Sequence, residues 1–281
     1  MTLRAAILLA ASFAAAATPV RAGSAAGDWV AGHNSRVRLI AAPVTAAGGK
    51  TVLMAGIEIA LDGNWKTYWR NPGDAGGVPP EFDFAKSTNI GKATVLFPAP
   101  IRLVDALGDS IGYKHSVLFP VTFAVTDPAK PVTLDVAASY GVCEKVCIPE
   151  EHELTLTLDP AAPVDPALSD RLAEALAAVP GAAAPGRPQL VGLKLESTNG
   201  KPIVAIDAQF PRGTAQPEMF VEAVDPAFLP QPEALKDAGD GHAHFRIDLS
   251  LTDDFKQPSG KQIRLTLVGS GTASEAIATI P

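Results

Sequence analysis

Cys143 and Cys147 are the only cysteines in 281 residues, and their spacing restricts the local fold more than any other feature. In a straight strand, four residue steps would hold their Cα atoms about 13 Å apart. A disulfide needs about 5.5 Å. If the two face each other, Glu144, Lys145 and Val146 must turn the chain back on itself, most simply as a tight hairpin loop with one cysteine on each arm. The size of the ring bears on its purpose, because closing five residues stabilises a fold by only roughly 2 kcal/mol. That makes a poor structural staple. It suits redox exchange better, where a neighbouring thiol must resolve a mixed disulfide. Lys145 in the loop favours a thiolate, whereas Glu144, Glu150 and Glu151 oppose it. From these residues alone, three uses stay open: an inert disulfide, an exchange pair, or a two-thiolate site soft enough for Cu(I).

The N-terminus places the chain in a compartment where such a bond persists. Arg4 gives a positive start, residues 5–17 are an apolar run, and Val20-Arg21-Ala22 offers small residues at the cleavage positions. This reads as a secretory signal over residues 1–22, too short and too soon interrupted by Thr18, Pro19 and Arg21 for a membrane span. No later stretch approaches a span, so the mature chain is expected to be soluble and exported, where disulfides are permitted. Without Arg4 and Arg21 it carries 21 basic and 30 acidic residues, a formal charge of −9. Nucleic acid and anionic membranes are thereby disfavoured as partners. A chain of this length buries a proper core without needing a disulfide scaffold.

With 25 Pro, 24 Gly and 6% aromatic residues, the composition suits short strands and many turns. Residues 37–44 and 51–61 read as two strands around the turn signal at 46–49. In the second, Leu53, Ala55, Ile57, Ile59 and Leu61 define the apolar face. Further strands are predicted at 81–84, 93–97, 116–125, 132–140 and 151–158. Residues 98–113 read as a long connection, which in a compact domain usually has a function. Seven or more short strands without a helix signal predict an immunoglobulin-like β-sandwich over residues 29–160.

The pattern changes at Pro160. Asp165-Pro166 is a helix start, and Leu168, Leu172, Leu176 and Val179 make one apolar stripe that Pro180 ends. Residues 161–188 thus read as a short helix and a Pro/Ala/Gly linker. From 189 to 281 a second, smaller β-sandwich-like module is expected, with strands at 190–196, 203–210, 219–224, 242–251, 262–268 and 273–280. The fold class is therefore all-β.

Little else carries chemistry. Trp65, Tyr68 and Trp69 cluster within five residues, which fits either sandwich core or a surface that shields or docks. His242 and His244 share a strand face, but no third ligand accompanies them, and they read as surface histidines. Gly73 to Gly77 leads into no Gly-Lys-Ser/Thr, so it is not a phosphate loop. Nucleophile-elbow, His-Glu-x-x-His and calcium-loop motifs are missing as well. Neither a cofactor nor a metal site is implied.

Four stretches taken together resemble a known family: WKTYWRNPGDAGGVPP at 65–80, FPAPIRL at 97–103, GYKHSVLFPV at 112–121 and SYGVCEKVCIPE at 139–150. They are similar to the periplasmic N-terminal domain of DsbD-type thiol:disulfide interchange proteins, particularly the ScsB-like (suppressor of copper sensitivity) branch. The resemblance implies an immunoglobulin-like domain that passes reducing equivalents to oxidised periplasmic proteins through a dithiol–disulfide pair. It makes Cys147, before Ile148-Pro149, the residue that forms mixed disulfides, and Cys143 the one that resolves them. It puts a cap loop at Val104, Asp105, Ala106, Leu107 and Gly108, with Tyr113 beside it, and it places Trp65, Tyr68 and Trp69 around the pair as shielding.

The best-known members separate their cysteines by five residues, so the three found here match the ScsB-like branch. Longer family members continue into a membrane electron conduit and a thioredoxin-like domain, so the resemblance implies a separately encoded membrane donor of the DsbD/ScsB type. The recipients it implies are thioredoxin-like or disulfide isomerase proteins, including those of cytochrome c biogenesis and copper tolerance. Two other readings stand beside exchange. One is a non-enzymatic interaction module with a structural disulfide, and the other a Cu(I)-binding copper-tolerance protein.

Overall fold

The computed structural model describes residues 23–45, 49–104, 108–159, 161–235 and 241–281. The expected signal segment and the cap positions Asp105, Ala106 and Leu107 lie outside the described residues. In chain order the first half forms β1 (Ala25–Ala26), β2 (Val30–Gly32), β3 (Ser35–Thr45), β4 (Thr51–Leu61), β5 (Lys66–Tyr68), β6 (Glu81–Asp83), β7 (Thr94–Val95), β8 (Ile101–Leu103), β9 (Ser110–Lys114), β10 (Ser116–Thr122), β11 (Val132–Cys143) and β12 (Cys147–Leu158). One sheet runs β1-β3-β4-β10-β7, with β2 on β3. The other runs β12-β11-β5-β9-β8, with β6 on β11.

Every pairing in these two sheets is antiparallel. They pack face to face, as alternation along the strands requires. Val37, Leu39, Ile57 and Ile59 from the first sheet share one buried cluster with Leu134, Val136, Tyr140 and Val142 from the second. The fold is an all-β, immunoglobulin-like sandwich.

Residues 98–113 are not a plain connection. β8 and β9 pair as a hairpin through Leu103↔Ser110, and β5 pairs with β9 and β11, so three short strands build the half of the sheet beside the cysteines. Period-two alternation is missing in β9, whose Ser110, Ile111, Gly112 and Tyr113 are all buried. That continuous burial hides the strand from its pattern.

The helix α1 (Pro166–Ala177) begins as expected, with the Asp165 side chain accepting from the Ala167 N–H at 2.9 Å. It is docked rather than free. Leu172 is buried with Ile40, Ala42, Val44 and Met54 on the outer face of the first sheet. The strand β4 is therefore buried on both faces, and Glu58 on its second face is held by Arg38 of β3 at 2.8 Å and by Arg171 of the helix.

The second half forms β13 (Gln189–Thr198), β14 (Lys201–Gln209), β15 (Glu218–Ala223), β16 (Glu233–Ala234), β17 (His242–Asp248), β18 (Gln262–Gly269) and β19 (Thr272–Thr279). Sheets β13-β14-β17-β16 and β15-β18-β19 enclose a second core containing Val204, Ile206, Phe245, Met219, Val221 and Leu265. In β15, Met219 and Val221 point into that core, whereas Phe220 between them is fully buried in the cluster of the first sandwich. Alternation along one strand thus joins the two modules.

A candidate redox site at the tip of a hairpin

β11 and β12 form a twelve-pair ladder from Val132↔Leu158 to Cys143↔Cys147. The two cysteines are opposite each other, 4.2 Å apart at Cα, and joined by a disulfide. Glu144, Lys145 and Val146 make the loop, and the Glu144 N–H donates to the Val146 carbonyl at 3.2 Å. The turn that the spacing demands is present.

The sulfurs differ in exposure. Cys143 is 1% exposed, because Lys66 of β5 pairs with it on the far side of β11. Cys147 begins β12, an outer strand of its sheet, and is exposed. One hydroxyl serves both sulfurs: Tyr68 Oη donates to Cys143 Sγ at 2.9 Å and lies 3.1 Å from Cys147 Sγ. A hydroxyl so placed stabilises a thiolate on either sulfur more than it stabilises the neutral disulfide, since hydrogen bonds to charged groups are the stronger ones.

The Tyr68 ring is seated by missing side chains. A Cβ on Gly77 would lie 2.4 Å from the ring, and one on Gly141 would lie 3.4 Å from it and 2.9 Å from Val78 Cβ. The loop carrying Gly77 and Val78 is tied down by the Gly141 N–H, which donates to the Val78 carbonyl at 3.1 Å. Thr67 Oγ1, on the opposite face of β5, donates to the Gly141 carbonyl at 2.8 Å. These seats gave no motif of their own, although the glycine cluster at 73–77 marks the loop.

The other residues expected around the pair are dispersed. Trp65 is half-buried and meets the His33 ring edge-on at 5.2 Å. Trp69 is fully buried, 6.0 Å from the Phe220 ring of the second module, with the Arg70 guanidinium 4.3 Å above it. Tyr113 pairs with Thr67, so it faces the sandwich core, where its hydroxyl donates to the Pro98 carbonyl at 2.8 Å. Burial raises its pKa well above the ordinary phenol value. Of Trp65, Tyr68, Trp69 and Tyr113, Tyr68 is the one whose hydroxyl is described on the sulfurs. Adjacent residues of a strand face opposite ways, so a cluster in sequence is not a cluster in space. Of the expected cap, Val104 is 80% exposed, and Gly108 approaches Ala75.

On the other face of the same hairpin lies a polar cluster that no sequence motif marks. Glu150 is buried, accepts from the His33 N–H at 3.0 Å and meets His152 Nε2 at 3.0 Å. It pairs with Tyr140, whose pKa is pushed up to about 12, chiefly by burial, with the Ser35 hydrogen bond opposing and the Glu150 charge adding to the rise. Farther along the sheet, a groove of about 520 Å³ is lined by Glu81, Asp83, Glu151 and Glu153 and includes neither sulfur. His242 and His244 both flank Asp207. Among the described residues, no three His, Cys, Asp or Glu side chains are grouped to hold a metal ion.

A β-sandwich with an accessible disulfide closing one hairpin, and a hydroxyl on both sulfurs, is the arrangement of a thiol–disulfide interchange domain. Residues 38–159 match the family model described as "Thiol:disulfide interchange protein DsbD, N-terminal". Among solved structures, the chain is similar to the N-terminal periplasmic domain of ScsB from Proteus mirabilis. The TM-score is 0.69 at 22% identity, over 92% of this chain and 99% of that one. At that identity the likeness speaks to the fold, and its coverage takes in both modules. A search of curated proteins finds no match.

Proposed function

We propose that the protein is a periplasmic protein-disulfide reductase component that passes two electrons from the Cys143/Cys147 dithiol to oxidised partner proteins. The observation that carries this reading is the unequal exposure of two sulfurs under one hydroxyl. Cys147, as the thiolate, attacks one sulfur of a partner disulfide and expels the other as a thiolate, leaving a mixed disulfide. Cys143 loses its proton and attacks Cys147 Sγ. The partner's second sulfur departs and is protonated. The partner is then a dithiol, and Cys143–Cys147 is the disulfide present in this structure. Burial keeps Cys143 from partners while leaving it beside Cys147, as a resolving thiol requires.

Residues 1–22 act as the export signal in this reading, 29–160 as the redox unit, 161–188 as the tether and 189–281 as the second unit. A membrane protein of the DsbD/ScsB type re-reduces the pair. Recipients are thioredoxin-like or disulfide isomerase proteins. The relative's periplasmic origin and the lack of any helix, among the described residues, that is long and apolar enough to cross a membrane support this placement.

The test is trapping. With the reduced protein and an oxidised thioredoxin-like partner, Cys143→Ser should accumulate a mixed disulfide through Cys147, and Cys147→Ser should form none. A reduction potential well below about −300 mV would mark a structural bond and defeat the proposal.

A further inference from the structure

Strand β5 contributes three residues to its sheet, and the segment after it stays bonded to β9 through the Trp69 N–H on the Ile111 carbonyl at 3.0 Å and the Ile111 N–H on the Pro72 carbonyl at 2.8 Å, so what else grips that segment bears on how firmly the Tyr68 hydroxyl is held. Its side chains fasten it to the second module as well. Trp69 packs on Phe220. Arg70 Nε donates to both Glu222 oxygens at 3.1 and 3.0 Å, and its Nη2 donates to Glu222 Oε2 at 2.7 Å and to Glu275. Asn71 Nδ2 donates to the Val221 carbonyl at 3.0 Å, and Asp74 accepts from the Gln231 N–H at 3.1 Å. Three residues beyond Asp74, the same loop reaches Gly77 and the Tyr68 ring. The stretch 68–77 is thus anchored to the second module through its middle and forms the seat of Tyr68 at its end.

Among these anchors, Arg70 is the most constrained. Its guanidinium is pinned between the Trp69 face and two carboxylates, and a planar fork against a carboxylate fixes direction as well as distance. We propose that Arg70 is a positioning residue: by clamping the segment after β5 to Glu222 and Glu275, it holds the Tyr68 hydroxyl on the two sulfurs and so tunes the balance between dithiol and disulfide. The second module thereby acts on the redox pair without touching it. This inference rests on the exchange function proposed for Cys143 and Cys147.

Chemistry sets the sign. A hydroxyl donor favours thiolate over disulfide, so displacing it shifts the balance toward the disulfide and raises the pH at which Cys147 becomes reactive. The experiment is a double-mutant cycle on the full chain, read as the equilibrium constant with glutathione and as the pH midpoint of Cys147 alkylation. Tyr68→Phe should favour the disulfide by about tenfold, the scale of one hydrogen bond to a charged group. Arg70→Met, which keeps contact with Trp69, should shift it the same way by about fivefold, and Arg70→Lys by less. In the Tyr68→Phe background, Arg70→Met should add nothing.

Should Arg70→Met loosen the second module, Glu222→Gln keeps the packing and should give the same direction with a smaller shift. An Arg70→Met constant within twofold of wild type, or a full additional shift on top of Tyr68→Phe, overturns the clamp while leaving exchange intact. A wild-type pair that never equilibrates with glutathione overturns both.

Discussion

The two modules close their long hairpins by different means. Between β13 and β14 the turn is Asn199-Gly200, with φ of 53° and 79°, the left-handed pair that a two-residue turn needs to match strand twist. Between β11 and β12 the loop is Glu144-Lys145-Val146. It contains no glycine or asparagine, none of the three has positive φ, and the disulfide closes its base. One hairpin is held by backbone preference, and the other by a covalent bond over an ordinary loop. The disulfide can therefore open without removing the turn's own logic, since the loop does not depend on strained geometry and eleven further pairs of the ladder persist below it.

Four experiments bear on that contrast. The largest effect is expected at the base of the redox hairpin, in alkali. Tyr140 holds its proton to about pH 12, against an ordinary value of 10, so between those limits the unfolded chain releases a proton that the folded one keeps. Stability should fall as pH rises from 10 to 12, with a ceiling of about 3 kcal/mol lowered by whatever water reaches the ring. Urea unfolding of the oxidised protein against pH would show this slope, and Tyr140→Phe should reduce it, with the buried Tyr113, whose pKa is also raised, supplying the remainder.

Reduction comes next. Opening a five-residue ring should cost roughly 2 kcal/mol and leave the ladder folded, which hydrogen exchange of β11 and β12 amides would check. Loss of protection along the whole ladder would show that the bond holds the entire hairpin rather than only its tip. In the other hairpin, Gly200→Ala should cost roughly 1–2 kcal/mol, since a side chain is disfavoured at positive φ. An effect near zero there would mean that the Asn-Gly turn is not what closes it. Smallest of all, Lys145→Gly should stay within about 0.5 kcal/mol, as expected of an exposed loop residue. Thermal melts of both variants would decide the pair.

How much was legible depended on whether the signal was local. The long strands β3, β4, β11 and β12 and those of the second module follow alternation and turn residues, and the helix start follows Asp165-Pro166. The short strands β5, β8 and β9 do not, because each supplies only three to five residues, too few for a period to show, and Ser110 to Tyr113 of β9 are buried without alternation. Similarly, Met219-Phe220-Val221 reads as one apolar run, although its middle residue belongs to a different core from its neighbours. The aromatic trio was grouped by proximity in sequence, and the strand pleat sent Trp69 to the module interface and Tyr68 to the sulfurs.

By itself, the sequence determined that Cys143 and Cys147, if they pair, do so across a three-residue turn, because spacing along a chain is a covalent fact. It also carried the family likeness of the first module, through motifs of fixed order. Tertiary structure alone decided which sulfur faces solvent, which hydroxyl reaches both, and that the segment holding that hydroxyl is anchored by Glu222 and Glu275. These last residues lie more than 150 positions from Arg70. Their contact depends on how two sandwiches pack, and no local pattern encodes packing between surfaces so far apart in the chain.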